Sequence, residues 1–166
     1  MLAVRLSLLL CPLLLANCAS VQTVPSAEEA ALARVAAVHG GAGPWAVAGY
    51  RMGQYALSRL GLRRGSFDLE VEHHSPAQVQ YSCMADGAAA ATGASLGKLN
   101  LSLQSVAEPA ATATTFRNRS SGQSLTLRPS VRFAERYRDL PFDKLAEAGR
   151  EVLSLPDSEV FEQVQQ

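Results

Sequence analysis

The chain has 166 residues, 48% of them apolar and 18% charged, with a formal net charge of zero. That length sets the expectation of one domain with a core of ordinary size. The even charge balance gives no sign of a nucleic-acid-binding surface or of a disordered acidic chain. Aromatic residues make up only 6%, so Ala, Leu and Val must fill much of the interior.

Met1 to Arg5 is a short positive segment and Leu6 to Ala16 an apolar run, the layout of an export signal. The run is too short for a membrane span, which needs roughly 20 apolar residues. It ends in Leu15-Ala16-Asn17-Cys18-Ala19-Ser20, which is similar to a bacterial lipobox, although Asn17 stands where a small residue is usual. The expectation is therefore an export signal over 1–17, a tether over 18–25 and one domain over 26–166. The domain would sit on the periplasmic side of a bacterial membrane, anchored by a lipid at Cys18. A cleaved secretory signal with an incidental Cys18 is the alternative. In either case Cys11 is removed and Cys83 has no partner for a disulfide.

Ser26-Ala27-Glu28-Glu29 reads as a capping box, opening a helix that runs to His39. Gly40-Gly41-Ala42-Gly43 breaks it, and a second helix runs from Pro44 or Trp45 to Leu60, with Pro in the first turn and Gly61 just past the end. His39 thus faces a glycine loop and a helix N-terminus, whose free N–H groups favour an anion. Phe67, Leu69 and Val71 alternate with acids as in a half-buried strand. His73 and His74 at its end point to opposite faces, so at most one can face a site.

The stretch Tyr81 to Leu101 is the best site candidate. It reads as a loop holding Cys83, a small-residue helix N-capped by Asp86-Gly87, a glycine turn and a strand from Leu99 to Leu103. Small side chains allow backbone, or a ligand, to come close. Ala111 to Arg117 and Ser124 to Arg128 read as a hairpin about the Asn118–Gln123 loop, and Pro129 is expected to break the sheet. Val131 to Arg138 is a charged segment. A helix starts after Pro141 with Leu145, Ala148 and Val152 on one side, and Asp157 to Val164 reads as a last helical turn. The order argues for an α+β domain, an antiparallel sheet with helices packed on one face.

His39-Gly40, Gly43-Pro44-Trp45, Gly49-Tyr50-Arg51-Met52-Gly53 and Ala56-Leu57 resemble the opening motif of the FmdE family, which takes its name from a component of formylmethanofuran dehydrogenase. Ser82-Cys83-Met84-Ala85-Asp86-Gly87, with Thr92-Gly93 and Gly97-Lys98-Leu99-Asn100-Leu101, resembles its second motif. The resemblance covers roughly Val35 to Phe116. It implies an α+β fold, metal binding and, by name only, a link to the tungsten or molybdenum enzyme of methanogenesis. Family members commonly carry a second histidine where this chain has Gly41 and a second cysteine where it has Ala94. Longer members add a C-terminal cysteine-rich zinc module; here no cysteine follows Cys83.

The candidate metal ligands are His39, Cys83 and Asp86, with His73 or His74 in reserve; such a mixed set suits an open zinc-type site for a divalent transition metal. Thr92, Gly93, Lys98 and Asn100 are candidates for holding a cofactor or small ligand. An enzyme is the second reading, with Cys83 as thiolate nucleophile and His39 as base. A scaffold lipoprotein that kept the fold and lost the site is the third. Each residue also has a plainer role open to it: Cys83 as a small core residue, His39 at a helix end, Lys98 as a solvated side chain, and Trp45 and Tyr50 as core aromatics. The alanine-rich helices offer flat faces on which a homodimer could form.

Overall fold

The computed structural model describes residues 24–165, so the export segment, Cys11 and Cys18 lie outside the described residues. Ser26 caps α1 (Ala27–His39) through the capping box, its Oγ accepting from the Glu29 N–H and the Glu29 carboxylate accepting from the Ser26 N–H. Gly40, at φ 89°, ends α1 in the left-handed conformation that favours glycine. Pro44 then starts α2 (Pro44–Arg59).

The remaining elements are β1 (Leu69–Ser75), α3 (Val79–Thr92), β2 (Leu101–Ser105), β3 (Ala113–Asn118), β4 (Ser124–Pro129), α4 (Val131–Arg136), α5 (Leu145–Ser154), α6 (Asp157–Val160) and β5 (Phe161–Gln163). The strands form one five-stranded sheet in the order β2-β1-β3-β4-β5. The protein is an α+β domain whose sheet is mostly antiparallel. One pair departs from that: β1 and β2 run parallel, because α3 lies between them as the crossover such a pair requires.

Leu69, Val71, His73 and Ser75 turn one face of β1 into the core. Across the sheet Val71 pairs with Phe116, and Phe116 with Leu125. The other face carries Glu70, Glu72, Thr115, Arg117 and Thr126 and meets water, so the helices cover one side only. Among the described residues no helix is long and apolar enough to cross a membrane.

Several expectations change. Helix α3 begins at Val79 with Gln78 as N-cap, so Cys83 and Asp86 are helical and Asp86 caps nothing; no glycine or proline interrupts Val79 to Asp86, and the helix continues through. The strand after it begins at Leu101, since Leu99 sits at φ 52° in a left-handed turn. The charged segment after Pro129 is a helix, capped by Ser130 Oγ accepting from the Phe133 N–H. Pro129 does not break the sheet; it pairs with Phe161 in β5, a strand read from the sequence as helix.

Candidate functional site

The end of α1, the 40–43 loop, the start of α2 and the first turns of α3 meet the 137–146 segment around a cavity of about 650 Å³. The loop is held by α5: a Cβ on Gly149 would stand 1.8 Å from the Ala42 carbonyl oxygen, so only glycine lets these backbones touch. Trp45, Tyr137, Leu140, Phe142 and Leu145 make apolar walls, and His39, Gln80 and Cys83 supply polar groups. Gly43, the N-cap of α2, has no side chain to cap its first N–H groups, so the amides of Trp45 and Ala46 have no helical acceptor.

His39 Nδ1 lies 2.8 Å from Asp86 Oδ2, both side chains being partly exposed. With the carboxylate accepting, Nδ1 carries the proton and Nε2 is left for another partner. Asp86 thereby fixes the ring from behind; it does not line the cavity. Cys83 is buried on the cavity wall, and its thiol donates to the Gln80 carbonyl at 3.2 Å. Burial, with the nearby Asp86 carboxylate adding to it, pushes the thiol up to about 12. A thiol so placed stays protonated at neutral pH and is a poor nucleophile.

The structure brings His39, Cys83 and Asp86 together and leaves the other candidates elsewhere. His73 is in the core: Nε2–H donates to the Tyr81 carbonyl at 3.1 Å, and Nδ1 accepts from Thr114 Oγ1 at 2.9 Å. Both ring nitrogens are therefore engaged, and burial lowers its pKa to about 4. His74 faces the other side of the sheet and pairs with Glu72. Thr92, Gly93, Lys98 and Asn100 lie at the far end of α3, about 13 Å of helical rise from Cys83. There they hold the chain itself. Thr92 Oγ1 donates to the Ala88 carbonyl and accepts from the Ala94 N–H. Gly93 is the left-handed cap of α3. Lys98 donates to the Gly93 carbonyl, and Asn100 bridges the Ser95 N–H and the Leu69 carbonyl. Trp45 is a core aromatic, its Nε1–H donating to the Tyr137 carbonyl and its ring edge-on to Tyr81 and Phe133.

Among the described residues no group of three or more His, Cys, Asp or Glu side chains is arranged to hold a metal ion. Of the described residues, only His39 and Cys83 bring such donors to the cavity, fewer than the three protein ligands of an open zinc site. The cavity residues that the sequence did not reveal are Gln80, Tyr137, Leu140, Phe142 and Leu145. They carry no motif; the apolar periodicity after Pro141 signalled only a packed helix.

No curated protein matches the chain in sequence. The model of the family described as "FmdE, Molybdenum formylmethanofuran dehydrogenase operon" matches residues 38–162, from the end of α1 into β5. Together with the α+β fold and the His39 and Cys83 motifs that meet at the cavity, that match means the chain belongs to the FmdE family.

Proposed function

We propose that this FmdE-family domain binds a small organic molecule in the cavity between α2, α3 and α5, and that it works outside the cytoplasm, anchored by a lipid at Cys18. The carrying observation is the His39–Asp86 pair: a ring held by a carboxylate on the wall of a cavity of about 650 Å³, within the range that holds small ligands. The apolar walls suit a ligand with an apolar body. His39 Nε2 and the free amides at the start of α2 suit one acceptor or anionic group on it.

A divalent cation of the zinc type is a second reading, supported by one feature. A histidine whose Nδ1–H rests on a carboxylate is oriented as metal-bound histidines are. Without further donors among the described residues, the cation would have to arrive with its ligand. A thiol-dependent reaction at Cys83 is disfavoured by the protonated thiol.

Native mass spectrometry and metal analysis of the gently purified chain test this reading. Wild type is expected to carry a small molecule that is lost in Ala146→Trp, a change at the exposed cavity mouth, and diminished in His39→Ala. Zinc should be well below one equivalent. Stoichiometric zinc that disappears in Cys83→Ala would overturn the organic-ligand reading in favour of the metal. Fatty-acid labelling that survives Cys18→Ser would overturn the anchor.

A further inference from the structure

Two loops meet beyond the C-terminal end of α3 and leave apolar side chains in water. Phe67 is 71% exposed, Leu96 72% and Leu99 84%. The loops are joined by the Gly65 N–H, which donates to the Thr92 carbonyl. The Gly65 backbone also stands 3.2 Å from where a Cβ on Gly93 would be. Lys98 bridges them, its ammonium 5.3 Å from the centroid of the Phe67 ring.

Cations stand in the same two loops, Arg63 and Arg64 before Phe67 and Lys98 between Leu96 and Leu99. Arg63, Arg64 and Lys98 form no ion pair among the described residues. Arg119 also reaches the patch, donating to the Leu99 carbonyl and pairing with Glu70. Asp68 is the other acid in these loops. Leu99 supplies an independent observation. It holds φ 52°, a conformation that glycine or asparagine adopts at far lower cost than leucine. The turn would be better served by glycine, yet it keeps an apolar side chain almost wholly in solvent. Strain of this kind points to a use for the side chain.

We propose that this surface, with Phe67, Leu96 and Leu99 set among Arg63, Arg64 and Lys98, docks the domain onto a membrane surface rich in anionic phospholipid. The apolar side chains enter the headgroup region while the cations lie against lipid phosphates. A second copy is the poorer occupant, because a self-complementary contact would set the same cations against one another. The docking face and the ligand cavity lie at opposite ends of α3, so a docked domain keeps its cavity mouth away from the bilayer. The inference rests neither on the ligand nor on the lipid at Cys18.

The test uses the full chain on vesicles of phosphatidylcholine alone or mixed with phosphatidylglycerol, read by amide hydrogen exchange. Amides of residues 62–67 and 95–99 are expected to exchange on the order of tenfold more slowly on the mixed vesicles than on phosphatidylcholine alone. The double change Phe67→Ser, Leu99→Ser should abolish that difference without lowering the melting temperature. Equal exchange on the two kinds of vesicle would overturn the proposal. So would protection that rises with protein density on phosphatidylcholine alone, which would make a second copy the occupant.

Discussion

The Ala46 carbonyl oxygen stands 1.8 Å from where a Cβ on Gly87 would be, so α2 and α3 meet backbone to backbone. The same contact runs along both helices: the Met84 carbonyl oxygen lies 2.1 Å from a Cβ built on Gly49, and the Ala91 Cβ 2.8 Å from one on Gly53. Alanine is the better helix former by about 1 kcal/mol, but here its methyl would force the helices apart. Gly87→Ala and Gly49→Ala should each destabilise by about 3 kcal/mol or more. Gly97→Ala, where nothing lies within 4 Å, should stay within about 0.5 kcal/mol. Urea unfolding midpoints check this. A Gly87→Ala protein as stable as wild type would contradict the contact.

That helix pair also shows what the sequence could and could not disclose. The run Gly87-Ala88-Ala89-Ala90-Ala91 announced a close approach, but Gly49 and Gly53, which decide that the approaching body is α2, are far away in the chain. Local signals were readable because their physics is local: the Ser26–Glu29 box, Pro44 at the start of α2, and the opposed His73 and His74. Strand β5 was not, because Phe161–Gln163 is too short to alternate and exists only by pairing with β4. Lys98 and Asn100 looked ready for a ligand, yet a turn packed against the core needs its own backbone groups satisfied, and these side chains satisfy them.

His73 makes stability depend on pH. Its pKa is about 4 in the fold against an ordinary value of 6.5, chiefly through burial. Between those values the unfolded chain takes up the proton and the folded chain does not. Stability from this group is therefore complete above about pH 6.5, falls as the pH is lowered, and levels off below about pH 4. The total loss is of the order of 3 kcal/mol. His73→Gln, which keeps a donor for the Tyr81 carbonyl, should flatten the slope between pH 7 and pH 4.5. An unchanged slope in that variant would assign the acid sensitivity to other groups.

Cys83 should resist alkylation. With its thiol pushed up to about 12, the thiolate fraction at neutral pH is at least about a thousandfold below that of a free cysteine. Iodoacetamide should modify the folded protein slowly, and Asp86→Asn, which removes the neighbouring negative charge, should raise the rate modestly. Rapid modification of the folded protein would reopen the nucleophile reading.

Arg51 closes the end of α5. Its Nη1 donates to the carbonyls of Val152 and Leu155, and its Nη2 pairs with Asp157 at the start of α6. These carbonyls belong to the end of a helix, where no further turn supplies donors. Arg51→Met should cost about 2 to 3 kcal/mol by leaving them without a partner. Arg51→Lys should recover only part of that, because one ammonium cannot reproduce the guanidinium fork. Thermal melts of the two variants separate the contributions; equal losses would mean that the fork geometry carries all of the effect.

Thr112 offers the opposite case, a substitution expected to stabilise. Its residue is 2% exposed, and its Oγ1 is a buried side-chain oxygen with no hydrogen-bond partner among the described residues. It sits beside a smaller cavity of about 280 Å³ under Tyr81, Pro129 and Val131. A buried hydroxyl without a partner costs about 1 to 3 kcal/mol of desolvation that nothing returns. Valine has nearly the same shape, and it suits the extended backbone at this position. Thr112→Val should therefore raise stability by about 1 kcal/mol, whereas Thr114→Val, which breaks the bond to His73 Nδ1, should lower it by a similar amount. The paired melts decide between an orphaned hydroxyl and one satisfied by an ordered water in the cavity, since in the second case Thr112→Val would be destabilising as well.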